Sequence, residues 1–206
     1  EQTPEDVKQS IAVLLERSRL TWKLEGAQAA LPFVRDLASL ASDKAEVMAL
    51  LAQVLAEGGD SNGAAEAIQK SLRLNPEQPA LNRLMGDIQH KSGQLDQAIH
   101  YFSEAIRQNP LEPTAFVDLA GVYLERREYT QALNTYHKAM AVCSDDPRPY
   151  LLAAQVMREC KDYPGAEEFL RKAAELAPKD VNIRRQLGAI IALNLVHHSQ
   201  EAHAQR

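Results

Sequence analysis

The sequence predicts an all-α chain, a stack of antiparallel helix pairs, on three observations. Small alanines recur at one fixed step: Ala30, Ala64, Ala98, Ala132 and Ala166 are each 34 residues apart. Two further ladders keep the same phase. One is large and apolar (Val34, Ile68, Phe102, Tyr136, Leu170), and the other runs through Leu37, Ser71, Ala105, Ala139 and Ala173. Finally, the chain is rich in Ala and Leu, which lose little freedom in a helix, and lacks the Val, Ile, Thr and Tyr runs of strands. A fixed period of 20–50 residues is the signature of a repeat architecture.

Each element follows from this register. A small residue followed four positions later by a large apolar one marks a single helical face, and the third ladder extends that face by a turn. The first unit, about 4–42, is degenerate. Its opening helix starts at Pro4, with Thr3 as cap and Asp6 near the positive helix end, and continues to about Leu24. Gly26 turns the chain into a second helix over about 27–41. Complete units span about 45–76, 79–110, 113–144 and 147–178. Their upstream helices carry Met85, Gly86 and Gln89, then Phe116, Leu119, Ala120 and Tyr123, then Tyr150, Ala153, Ala154 and Met157. Pro79, Pro113 and Pro147 open those helices, where a missing N–H costs nothing. Gly58-Gly59-Asp60, Ser92-Gly93-Gln94 and Lys161-Asp162 are the turns inside units, and Pro76, Pro110 and Pro178 close three of them. The last unit, 181–206, begins with Leu187, Gly188 and Ile191 and then loses the pattern. Gln200 stands where the small alanine belongs, so this helix reads as a cap.

These residues resemble the tetratricopeptide repeat family. Its pattern is a large residue, Leu, Gly or Ala, Tyr, then Ala, a large aromatic, Ala and Pro. The match is best in 79–110 (Met85, Gly86, Ala98, Phe102, Ala105, Pro110) and 113–144 (Phe116, Leu119, Ala120, Tyr123, Ala132, Tyr136, Ala139). Asn82, Gln89 and Ser144 depart from it. The resemblance implies one domain over 1–206, a right-handed α-solenoid of about six repeats whose upstream helices line a concave wall.

Charge and composition narrow the function. The chain is 25% charged with a net charge of -5, and it shows no basic face of the kind that displaces counterions from nucleic acid. Residues 77–146 are net acidic and 147–206 net basic, an end that would attract an acidic partner. Cys143 and Cys160 make no disulfide framework and are expected as small buried thiols, in keeping with a reducing, cytoplasmic setting. No apolar run reaches the roughly 18–20 residues that span a bilayer, and the polar start is unlike a signal peptide. The chain does not begin with Met, so removal of a leader would make the setting periplasmic or membrane-associated. No GxxxxGK[ST], GxGxxG, GxSxG or HExxH motif is present, so no enzyme activity and no cofactor are expected. His197 and Glu201 stand one helical turn apart near His198 and His203. A polar tail is preferred there over a metal site.

The resemblance places the inner wall at the second, fifth, sixth, ninth, twelfth and thirteenth positions of each unit. An apolar stripe of Leu15, Leu50, Leu84, Val117, Leu151 and Leu152 is expected there, with Trp22 and Leu124 beside it. Arg83, His90, Asp118, Arg158 and Arg185 flank the stripe. Such a groove accepts a peptide or helix of a partner protein. Two other readings stand beside it: a self-assembling chain whose partner is another copy, and an accessory segment of a larger secretion or assembly protein. The carboxylate clamp of some family members is not expected, because Asp87 and Asp118 would face the anion.

Overall fold

The upstream helices of the predicted units start at a proline, an alanine or, in the last unit, a valine, and those before the last end where the chain must turn back. In the computed structural model, which describes the backbone of residues 4–204 and the side chains of 10–197, these become eleven helices and, among the described residues, no strand. Thr3, and the side chains of Asp6, His198, Glu201 and His203, lie outside the described residues. The helices gather into two compact units, divided between Gln97 and Ala98.

The first unit holds α1 (Pro4–Glu25), α2 (Ala27–Leu40), α3 (Ala45–Glu57), α4 (Ser61–Leu74) and α5 (Pro79–Lys91). Here α1 pairs with α2 and α3 with α4, while α2 packs on α3 and α4 on α5. Its core joins Leu15 of α1, Ala30, Val34, Leu37 and Ala38 of α2, and Val47, Met48, Leu50 and Val54 of α3. Ser71, the polar member of its ladder, is buried and hydrogen-bonded: its hydroxyl donates to the Ala45 carbonyl at 2.7 Å. The Gln78 amide donates to Ser71 Oγ at 3.0 Å and to the Asn75 carbonyl at 2.6 Å, tying the end of α4 to the start of α5.

The second unit begins within α6 (Leu95–Gln108) and holds α7 (Pro113–Glu125), α8 (Tyr129–Val142), α9 (Pro147–Glu159), α10 (Tyr163–Leu176) and α11 (Val181–Ala204). Pairs α7–α8 and α9–α10 form hairpins, α8 packs on α9, and α10 packs on α11. One cluster surrounds Tyr136 with Ala120, Ala132, Met140, Ala153 and Val156. A second joins Ala154, Ala166, Leu170 and Ile190.

All fifteen ladder residues are buried, as close helix packing requires of alternating small and large side chains. The turns keep the period too. Gly59, Gly93, Arg127 and Lys161, 34 residues apart, all take positive φ (86°, 77°, 61° and 62°). Gly26 does the same one residue late in that register, directly after the end of α1 at Glu25. Asp60 and Asp162 cap the following helices by accepting from the N–H of Gly63 and Gly165, both at 2.9 Å.

The cysteines correct an expectation. Cys143 is half-buried and Cys160 exposed, because both fall at the C-caps of α8 and α9 rather than on an inward helical face.

Candidate functional site

The inner-wall register is written most clearly in the first unit. A cleft of about 710 Å³ opens between α1 and α3, reaching the N-cap of α5, and is lined by Arg19, Trp22, Lys23, Glu46, Ala49, Leu50, Gln53, Glu57 and Gln78. From α3 these are the second, fifth, sixth, ninth and thirteenth positions of the repeat. From α1 they are the ninth, twelfth and thirteenth. A second cleft of about 400 Å³ continues between α3 and α5, sharing Trp22, Gln53 and Glu57 and adding Ala56, Ala80, Arg83, Leu84, Asp87, Ile88 and Lys91.

The cleft exists because three wall positions are alanine. Ala49, Ala56 and Ala80 stop at Cβ, so neighbouring helix backbones stay apart without side chains filling the space. Trp22 stands where the two clefts join. Its indole N–H donates to Glu57 Oε2 at 2.7 Å, which locks the ring between α1 and α3. A ring held this way offers large apolar area at little further loss of freedom. Gln53 is central to both clefts and half-buried. A free carboxamide there can donate to a peptide carbonyl and accept from a peptide N–H. Arg83 pairs with Asp87 at 3.6 Å on the α5 side, and Lys23 and Lys91 bring positive charge to the rims.

The expected site residues divide among these surroundings. Trp22, Arg83 and Leu84 line the clefts. Leu50 also lines the first, but as a buried floor. Leu15 is buried in the core of α1–α3 and offers a partner no surface, because its helix face turns onto α2 and α3. His90 is half-buried and does not line either cleft. In the second unit Val117, Leu124 and Leu152 pack partly buried against the Tyr136 cluster, and Leu151 against the Leu170 cluster. Asp118 is half-buried; the Asp146 hydrogen bond raises the Arg148 pKa and burial raises that of Tyr136, and the Asp118 charge adds to both shifts. Arg158 and Arg185 are exposed, the first near Glu159 and the second donating to Asn182 Oδ1 at 2.8 Å.

Sequence reasoning overlooked Gln53, Glu57 and the alanine gap as features of one cleft. The ninth and thirteenth positions of the register contained that signal. The other chemistry is structural. Burial, with the Asp118 carboxylate, raises the Tyr136 hydroxyl to about 12, and that hydroxyl is buried without a hydrogen-bond partner. Hydrogen bonds from Arg107 and Gln108 lower Glu104 to about 2. Among the described residues, no three His, Cys, Asp or Glu side chains gather as a metal ion would need, and no helix is long and apolar enough to cross a membrane.

No curated protein matches the chain in sequence. Family models described as tetratricopeptide repeat match residues 45–78 and 89–156. Solved structures share the fold at low identity. MamA (residue 41 to the end) from Desulfovibrio magneticus RS-1 superposes with a TM-score of 0.76 at 18% identity, covering 83% of this chain and 97% of that one. YrrB, described as a tetratricopeptide protein with an unusual peptide-binding site, gives 0.73 at 17% identity, with 87% and 96% covered. PilF from Pseudomonas aeruginosa gives 0.72 at 16% identity, with 97% and 99% covered. Tetratricopeptide folds are protein–protein interaction scaffolds, built to present one helix wall to a partner. The repeat register, the buried ladders and the two family matches make this chain a member of the tetratricopeptide repeat family.

Proposed function

We propose that the first unit binds an extended peptide segment of a partner protein in the joined clefts along α1, α3 and α5, without catalysis. The observation that carries this reading is the Trp22–Gln53–Glu57 arrangement: a locked aromatic surface beside a carboxamide, over a floor of alanine and leucine. An apolar partner side chain covers Trp22 and enters the alanine gap. The Gln53 carboxamide exchanges hydrogen bonds with the partner backbone, as strand and groove recognition of peptides generally requires. Lys23 and Lys91 attract acidic partner residues at the two rims. The peptide-binding site named for YrrB, a protein of the same fold, supports the reading as analogy.

The test is selection of peptides from a random display library on the intact chain, followed by titration of the winners. Binding should weaken at least tenfold in Gln53→Ala, a half-buried surface change that leaves helicity intact. It should hold in Leu151→Ala, outside the clefts. Equal affinity for the parent and Gln53→Ala sinks the assignment.

A further inference from the structure

Two departures from the repeat register stand at one junction of the first unit, and they touch. In the ladder of Leu37, Ala105, Ala139 and Ala173, only Ser71 is polar. Seven positions further on, directly before the upstream helices, the register places Lys44, Gln78, Glu112, Asp146 and Asp180. The three acids cap their own helices, accepting from the N–H of Thr114, Arg148 and Asn182 at 3.2, 2.9 and 2.8 Å. Gln78 makes no such cap on α5. Its carboxamide is turned onto the end of α4 instead, donating to Ser71 Oγ at 3.0 Å and to the Ser71 and Asn75 carbonyls at 3.2 and 2.6 Å.

The two changes depend on each other. The Ser71 hydroxyl gives its one proton to the Ala45 carbonyl, at 2.7 Å, and so meets Gln78 as an acceptor. A carboxylate in place of Gln78 has no proton to give, and an alanine in place of Ser71 has no oxygen to receive one. The pair makes a chain of two hydrogen bonds from the first residue of α3, through α4, to the N-cap of α5. Helices α3 and α5 wall the second cleft, and Gln78 lines the first. Between those helices Ala56 and Ala80 leave the space unfilled. An apolar gap between helices is favoured to close, because closing removes apolar area from water. Directional hydrogen bonds of fixed length oppose that closing where alanine side chains are too short to do so.

We propose, on the reading of the clefts as a peptide site, that Ser71 and Gln78 are its positioning residues: a strut that fixes the spacing of α3 and α5, so that the cleft stands open before a partner arrives. Ser71 is fully buried and lines neither cleft, so it reaches a bound peptide only through Gln78. A site held open in advance binds without first having to part its walls.

The experiment reads the spacing and the binding separately. Nitroxide labels at Glu46→Cys and Ala80→Cys, in the intact chain carrying Cys143→Ser and Cys160→Ser, report the distance between α3 and α5 by electron paramagnetic resonance with no peptide present. Ser71→Ala should shift or broaden that distance, with helicity unchanged, since alanine fills the same ladder at Ala105, Ala139 and Ala173. Gln78→Ala, a half-buried change, should do the same. In unlabelled chains, peptides selected on the parent should bind Ser71→Ala on the order of fivefold more weakly. Because Ser71 acts through Gln78, Ser71→Ala combined with Gln78→Ala should bind no more weakly than Gln78→Ala alone. An unchanged label distance overturns the proposal, and so does peptide affinity that Ser71→Ala leaves intact. Additive losses in the double variant overturn it too, because Ser71 would then act by another route. If the library yields no peptide, the cleft reading fails, while the label distance still decides whether the strut sets the spacing.

Discussion

The same six wall positions produce an open cleft in the first unit and a filled wall in the second. At the fifth and twelfth positions of α3 stand Ala49 and Ala56, and the cleft beside Trp22 stays open. At those positions of α7 stand Val117 and Leu124, which close onto the Tyr136 cluster. The fold is common to both units, so the difference is one of side-chain volume at a few places. The turns differ in the same way. The first unit places glycine at its left-handed positions, Gly26, Gly59 and Gly93, whereas the second places Arg127 and Lys161 there. Glycine takes positive φ freely, and an L side chain does so at a cost of about 1–2 kcal/mol. The second unit therefore combines larger core side chains with strained turns, and the first combines an open wall with relaxed ones.

The largest break in this comparison is Tyr136→Ala. Removing a fully buried aromatic should destabilise the second unit by about 3–5 kcal/mol in urea unfolding followed by segment-resolved hydrogen exchange. Tyr136→Phe should be neutral or mildly stabilising, because the lost hydroxyl is buried without a partner. A cost for Tyr136→Phe as large as that for Tyr136→Ala would show that the hydroxyl, not the ring volume, matters.

Giving the first unit the second unit's wall is the next test. The pair Ala49→Leu and Ala56→Leu should fill the cleft, with peptide affinity falling at least tenfold, or about 1.4 kcal/mol. Circular dichroism should report unchanged helicity. Retained affinity would mean that peptides bind elsewhere.

A smaller effect is expected in the turns. Lys161→Gly should stabilise the second unit by up to about 1 kcal/mol, since glycine relieves the left-handed strain but loses more chain entropy. Gly93→Lys should do the reverse. A thermal-shift series over these two variants reads both signs.

The smallest effect is acid sensitivity at the α10–α11 contact. Hydrogen bonds from Asn194 and Arg171 hold the Glu167 carboxyl below its ordinary range. A depressed carboxylate pKa contributes stability above the ordinary value, about 4.5, and the contribution is lost as pH falls through the folded value. Between about pH 5 and pH 3 the parent should lose more α11 protection than Glu167→Gln does. Equal losses would show that the contact does not depend on the charge.

How far the chain could be read before folding depended on how local each feature is. The ladders, the proline starts and most turns were legible, because each rests on a small residue, a fixed φ or a repeat spacing inside one short segment. Arg127 was missed as a left-handed turn residue because nothing in its chemistry marks that conformation. The cysteines were placed inside on residue type alone, and their positions at helix caps put them out.

The helical repeat, its phase and its small-residue ladders were written in the order of residues, since a 34-residue period records packing that recurs along the chain. Which wall residues are buried and which line a cleft was decided only by packing. Leu15 and Trp22 lie two turns apart on one helix, yet one is core and the other lines a cleft, according to where α2 and α3 cross α1. The exposed aliphatic face of α1 was equally hidden. Val13 and Leu20 look in sequence like their buried equivalents, and only the three-dimensional fold reveals whether a helix covers them.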